Sequence, residues 1–272
     1  MTATNAQFVG SIPAIYDRYL GPTMFEPYAV DLVGRLAVPI SGRILEVACG
    51  TGVVTRLMRK TLPWTVDILA TDFHEPMLAY ARQQVGPAHG LEWRQADASA
   101  LPFPDAAFDA VVMQFGLMFV PDRLQALREM RRVLKAGGQL LLNVWDSMEE
   151  NPFIRVSNDT VAGYYPDSPP LFFNTPYGMH NRAALGAMAA EAGFTKVSLE
   201  TVTLTGESPN ATALATGIVE GTPLALAIQE KATVTSATLV EAVATSLFRL
   251  CGSAKPIQVK LQAHVLEARA PR

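Results

Sequence analysis

Between Arg43 and Trp145 the chain repeats one rhythm, a short apolar run rich in β-formers followed by a segment long enough for a helix. Parallel strands need such crossovers, so this alternation predicts βαβ units, a mainly parallel sheet and an α/β fold. Strands are expected at Arg43–Ala48, Val66–Thr71, Leu91–Ala96, Phe108–Gln114 and Gln139–Trp145. Val111, Val112 and Met113 follow one another without a polar break, as in a strand covered on both faces. Helices are expected over Val53–Leu62, from Pro76 onward, and over Asp122–Lys135, the last stopping at Gly137-Gly138. Upstream, Thr23-Met-Phe-Glu26 has the spacing of a capping box and predicts a helix from about Met24 to Ala37.

After Trp145 the pattern loosens. Asn151 to Tyr177 is rich in Pro, Asn and aromatics without a clear period, and reads as an insertion over the domain. Asn181 caps a helix ending at Gly193, and a strand follows over Lys196–Thr205. Ser208-Pro209 and Thr222-Pro223 mark two further helix starts, a third helix spans Ser236–Leu250, and a last strand covers Gln258–Ala268. With 272 residues, 49% of them apolar, the chain is expected to form one domain over 1–272. Within it, 1–40 supplies N-terminal helices, 43–148 the ligand-binding core, and 149–180 with 206–252 the cap segments.

A net charge of −3 gives no excess of Lys or Arg for a phosphate backbone, so nucleic acid is not expected as a partner. The start of the chain lacks the pattern of a secretory signal and no apolar run reaches membrane-spanning length, which predicts a cytoplasmic protein. Cys49 and Cys251 stand apart with no metal spacing, and both are expected as reduced thiols with no metal bound. The oligomeric state is left open.

Chemistry is concentrated in Ile44-Leu-Glu-Val-Ala-Cys-Gly-Thr-Gly52, a strand running into glycines that open a helix. Gly50 and Gly52 permit positive φ and keep Cβ atoms away from a ligand, while the helix start offers unpaired N–H groups. Dinucleotide-binding folds make a similar turn, but their third glycine is replaced here by Thr55. Glu46 lies two residues before the turn, where a carboxylate repels a diphosphate and suits a ligand carrying an amino group and a sulfonium. Asp72 and Asp97 end the second and third strands at one edge of the sheet, able to accept hydrogen bonds from ribose hydroxyls and an adenine amine.

The ordered set Glu46–Gly52, Thr71-Asp-Phe-His-Glu-Pro-Met-Leu78, Gln95-Ala-Asp-Ala98, Leu101-Pro-Phe-Pro-Asp105, Phe108–Gln114 and Val133-Leu-Lys-Ala-Gly-Gly138 resembles the class I S-adenosylmethionine-dependent methyltransferases of the ubiquinone/menaquinone-biosynthesis type. The resemblance covers Arg43 to Trp145. It implies a Rossmann-like seven-stranded sheet, mostly parallel with the last strand antiparallel, helices on both faces and helical cap insertions. It implies that Ala48, Cys49, Gly50 and Gly52 wrap the methionine and ribose part of S-adenosylmethionine and that Asp72 takes the ribose hydroxyls. Phe73 and Met77 then pack on adenine, Asp97 and the Ala98 N–H meet its polar edge, and Gln114 stands beside the methionine moiety and the acceptor. Many relatives have glycine where this chain has Ala48, which predicts a slightly tighter turn.

Tyr16 and Tyr19 precede the first capped helix and are candidates to reach the cofactor or acceptor as that segment closes. Trp145, Phe153, Tyr164, Tyr165, Phe172, Phe173 and Tyr177 supply an aromatic roof suited to a sulfonium and to an apolar or aromatic small-molecule acceptor. His180 is a candidate acid or base, whereas His89 and His264 read as solvated or structural. Cys49 has no His or Asp at an activating spacing and reads as a small turn residue. The expected reaction is in-line methyl transfer to O, N, S or C. A non-catalytic cofactor-binding module and, more distantly, a nicotinamide-dependent oxidoreductase are the rival readings.

Overall fold

The computed structural model describes residues 8–252 and 255–272, so the first seven residues of the expected N-terminal segment lie outside the description. The chain opens with α1 (Ile12–Ile15), a π-helical run (Tyr16–Phe25) and α2 (Glu26–Gly34). β1 (Arg43–Val47), α3 (Val53–Thr61), β2 (Asp67–Asp72), α4 (Glu75–Val85), β3 (Leu91–Gln95), β4 (Phe108–Gln114), α5 (Arg123–Val133) and β5 (Leu134–Trp145) follow. Then come α6 (Pro152–Gly163), α7 (Arg182–Glu191), β6 (Thr195–Ser208), α8 (Ala211–Glu220), α9 (Leu224–Lys231), α10 (Ser236–Cys251) and β7 (Ile257–Arg269).

The seven strands form one sheet in the order β3-β2-β1-β4-β5-β7-β6. β1, β2, β3, β4 and β5 pair in parallel, and β7 runs antiparallel to both β5 and β6. Order reverses beside β1, leaving a crevice at the carboxyl ends of β1 and β4, the place where open α/β sheets bind ligands. The apolar run of β4 is buried, as are Ile44 and Leu45 of β1 and Leu140 to Leu142 of β5, so the middle of the sheet is a rigid floor for that crevice.

Several elements differ from expectation for identifiable reasons. The Thr23–Glu26 capping box does not form: Thr23 lies inside the helical run, and its hydroxyl donates to the carbonyls of Tyr19 and of Glu207 on β6. α8 is capped by Asn210, whose side chain accepts from the Ala213 N–H, while Ser208 Oγ donates to the Asn210 carbonyl. Thr222 Oγ1 accepts from the Leu224 N–H at 3.3 Å, in keeping with the second expected start. The insertion contains a helix, α6, which buries Phe153, Ile154, Ser157 and Val161 on one face. Asn151 stands at the N-cap of α6 without a side-chain capping bond; its amide donates instead to the Ser147 and Gln262 carbonyls, and its side-chain oxygen accepts from the Gln262 N–H, tying the end of β5 to β7. Finally α5 stops at Val133 and β5 begins at Leu134, with an irregular register through Lys135 to Gly138.

Candidate functional site

Beyond Val47 the chain turns sharply. Ala48, Gly50 and Gly52 all take positive φ, at 56°, 57° and 80°. For Ala48 this left-handed conformation costs roughly 1 kcal/mol. It also places the Ala48 methyl where a Cβ at residue 116 would lie only 2.6 Å away, so the loop after β4 needs Gly116. The turn is latched by Asp72, which is buried: its Oδ2 accepts from the Gly50 N–H and its Oδ1 from the His74 N–H, each at 2.8 Å. Burial pushes the Asp72 carboxyl up, opposed by those backbone donors.

Two cavities border this turn, and a third adjoins them across Tyr16. The largest of the three, about 420 Å³, is bordered by Tyr16, Ala48, Gly50, Asp72, Phe73, Met77, Asp97, Ala98 and Gln114, so nine of the expected cofactor residues share one wall system. Asp97 is exposed and its Oδ1 accepts from the N–H and hydroxyl of Ser99. Phe73 stands half-exposed at the mouth, whereas Met77 is buried. Two expected contributors sit differently. Gly52 does not line the cavity; a Cβ there would approach the Ala81 Cβ to 3.2 Å, so its place in the sequence is explained by α4 packing. Cys49 borders the neighbouring smaller cavity, and burial holds its thiol well above the ordinary range, which fits a turn-filling residue.

That smaller space, about 30 Å³, lies against Glu46, Cys49, Gly50, Thr51, Gln114 and Tyr16. Glu46 is 2% exposed and its Oε2 accepts from Thr55 Oγ1 at 2.5 Å. Burial, with the charge of Asp72 adding, pushes its carboxyl up to about 8. Thr55 thus replaces the third glycine with a partner for Glu46. Gln114 Nε2 donates to the Phe25 carbonyl, but its Oε1 is buried without a partner, and so is Thr51 Oγ1. Orphaned polar atoms are uncommon in folded proteins, and two beside a buried carboxyl fit the polar amino-acid end of a ligand.

The third space, about 50 Å³, is an aromatic chamber bordered by Phe25, Phe115, Trp145, Phe173 and Tyr177. Phe115 and Trp145 stack at 3.8 Å with planes 4° apart. Tyr16 lines all three spaces and stacks on Phe25 at 4.7 Å. Burial and the nearby Asp72 and Asp17 raise its phenol, leaving a neutral hydroxyl. The segment carrying Tyr16 is clasped to α3 by Asp17, which pairs with Arg56 at 2.9 Å, while Arg56 also donates to the Thr51 carbonyl. Of the expected roof, Tyr164 is exposed and Phe153 is wholly in the core.

Tyr19 and His180 lie elsewhere. Tyr19 borders an outer groove formed with α8 and α10, because successive residues of a helical run face different sides. His180 is exposed, lines none of the three spaces and has Nδ1 3.0 Å from the Tyr177 carbonyl. His264 is buried with Nδ1 3.0 Å from Thr201 Oγ1, a structural position. Thr51, Thr55, Gly116 and the Asp17–Arg56 clasp were not anticipated, although Thr51 and Thr55 stand within the glycine motif itself.

A methyltransferase-domain family model matches residues 45–142. The chain is 34% identical over 188 residues to the ubiquinone/menaquinone biosynthesis C-methyltransferase UbiE of Ectopseudomonas mendocina, spanning 62% of this chain and 73% of that one. It belongs to the UbiE-related family of S-adenosylmethionine-dependent methyltransferases. Among solved structures, a Haemonchus contortus phosphoethanolamine N-methyltransferase 2 in complex with phosphomonomethylethanolamine and S-adenosylhomocysteine superposes with a TM-score of 0.62 at 16% identity, covering 96% of this chain and 57% of that one. The [4+2]-cyclase SpnF gives 0.55 at 20% identity, covering 90% and 81%. These two likenesses establish the fold, and the UbiE-related sequence match establishes an enzyme that uses S-adenosylmethionine. Among the described residues no single helix of this methyltransferase is long and apolar enough to cross a membrane.

Proposed function

We propose that this methyltransferase transfers a methyl group from S-adenosylmethionine held at the glycine turn to an apolar or aromatic small molecule in the adjoining chamber. The observation that carries the reading is the meeting of three spaces on Tyr16, one polar and lined by orphaned atoms, one broad and flanked by Asp72 and Asp97, one aromatic. Glu46, Thr51, Gln114 and the backbone of Ala48 to Gly50 hold the amino-acid end. Asp72 accepts from ribose hydroxyls, Phe73 and Met77 pack on adenine, and Asp97 with the Ala98 N–H meets its polar edge. One domain does this work, with 43–148 holding the cofactor and the described part of 1–40, together with 149–180 and 206–252, covering it.

The cofactor supplies an already activated methyl group. The protein's task is to align and to exclude water, and alignment is worth up to roughly 7–11 kcal/mol of barrier. Aromatic walls favour a diffuse cation at little solvation cost. The Ectopseudomonas relative is named for ubiquinone and menaquinone biosynthesis, and a ring-bearing acceptor agrees with the chamber here. Calorimetric titration with S-adenosylhomocysteine and with NADH tests the site: the first is expected to bind and the second to give no heat. Methyl transfer from labelled cofactor to a panel of phenols, enols, amines and thiols then separates an enzyme from a binding module. Binding of NADH in place of S-adenosylhomocysteine overturns the assignment.

A further inference from the structure

The aromatic chamber is not wholly apolar. Tyr177 is 4% exposed, and its hydroxyl is buried with no partner in the protein. A phenol O–H left unpaired in such surroundings carries a desolvation penalty, which an oxygen on a bound molecule would remove. Thr222, also in the wall, is already used, donating to the Ile218 carbonyl and accepting from the Leu224 N–H. The remaining described wall residues are aromatic, aliphatic, methionine or proline, and none is Asp, Glu, His, Lys or Arg. The chamber therefore provides a planar apolar surface and an unmet hydrogen bond, with no side chain suited to remove a proton at neutral pH.

We infer that Tyr177 is the specificity-determining residue for a compact phenol- or enol-type acceptor, its hydroxyl donating to the acceptor's oxygen while the stacked Phe115–Trp145 pair forms one apolar wall beside the ring. This rests on the cofactor reading above. In the absence of a base in the wall, the acceptor enters as its own conjugate anion, which its hydrogen bond to Tyr177 favours. Its electron pair then forms the new bond to the methyl carbon, the carbon–sulfur pair stays on sulfur, and the protein moves no proton in that step. Burial raises the Tyr177 phenol, consistent with a group that donates and does not ionise.

The test uses 4-nitrophenol and its deoxy analogue nitrobenzene, titrated into full-length protein saturated with S-adenosylhomocysteine and followed by absorbance and calorimetry. Wild type is expected to prefer 4-nitrophenol by about tenfold or more, and to bind it as the phenolate. In Tyr177→Phe that preference should fall to roughly twofold or less, with nitrobenzene and S-adenosylhomocysteine affinities unchanged. Retention of the full preference in Tyr177→Phe, or failure of both probes to bind while S-adenosylhomocysteine still does, overturns the assignment of Tyr177 and leaves the cofactor site standing. Failure of S-adenosylhomocysteine itself overturns the cofactor reading and this inference with it. A Tyr177→Phe protein that loses S-adenosylhomocysteine affinity also counts against the inference, because it gives the residue a structural role; Tyr177→Leu, removing ring and hydroxyl together, should instead lower affinity for both probes.

Discussion

The buried carboxyl of Glu46 makes the sharpest quantitative prediction. Its closest partner is the Thr55 hydroxyl, and the nearby charges are Asp72, which opposes ionisation, and Arg56, which favours it. Folded Glu46 holds its proton up to about pH 8, while the unfolded chain releases it near 4.5. Between those values the native state binds a proton that the unfolded state does not, so this group's contribution falls as pH rises, and above both it is flat. The full window is worth on the order of 5 kcal/mol, of which roughly 3 kcal/mol lies between pH 5.5 and 8. Glu46→Gln keeps an acceptor for Thr55 but cannot ionise. Urea unfolding of both proteins without ligand, at pH 5.5 and 8.5, should show the glutamine variant gaining roughly 3 kcal/mol relative to wild type across the interval. A difference that does not change with pH refutes the reasoning. If the sulfonium and ammonium of the cofactor favour the carboxylate, titration with S-adenosylmethionine at pH 7 in buffers of different ionisation enthalpy should reveal release of roughly one proton from wild type and none from the variant.

Four other substitutions probe the turn and the segments packed around it. Asp72→Asn offers one oxygen to two backbone donors, so one of them faces an NH₂ group; unfolding should show a loss of about 1–3 kcal/mol, with S-adenosylhomocysteine affinity down at least about tenfold. Ala48→Gly should add about 1 kcal/mol to stability by relieving its positive φ, Gly116→Ala should cost about 1–3 kcal/mol, and a double-mutant cycle should show a smaller cost when residue 48 is glycine. Asp17→Asn weakens the clasp to Arg56, and stopped-flow displacement should find S-adenosylhomocysteine leaving roughly fivefold faster, equivalent to about 1 kcal/mol, with little change in the unfolding midpoint.

The strands of the core were legible because burial on both faces writes itself as unbroken apolar runs: β4 begins and ends where the residues predict, and β1 to β3 within a residue. Asp72, Asp97 and the turn were legible because strand ends in a parallel sheet share one edge. The cap was harder. Its register is decided by distant partners, as when Glu207 on β6 takes the Thr23 hydroxyl and Gln262 on β7 takes Asn151. Tyr19 was misplaced for the same reason, since the phase of the π-helical run depends on packing against α8, where Gly217 lets Tyr19 and Leu20 approach closely. Thr55 was seen as a missing glycine, but its bond to Glu46 appears only when β1 and α3 are folded together.

Because a single ring, Tyr16, forms part of the boundary of all three spaces, the compartments proposed for donor and acceptor share one wall. Any shift of its helical run reshapes all three spaces in one movement, so loading one substrate alters the room left for the other. That coupling makes the order of arrival and departure a property of one short segment and its tether, and makes kinetic order the natural place to look for its signature.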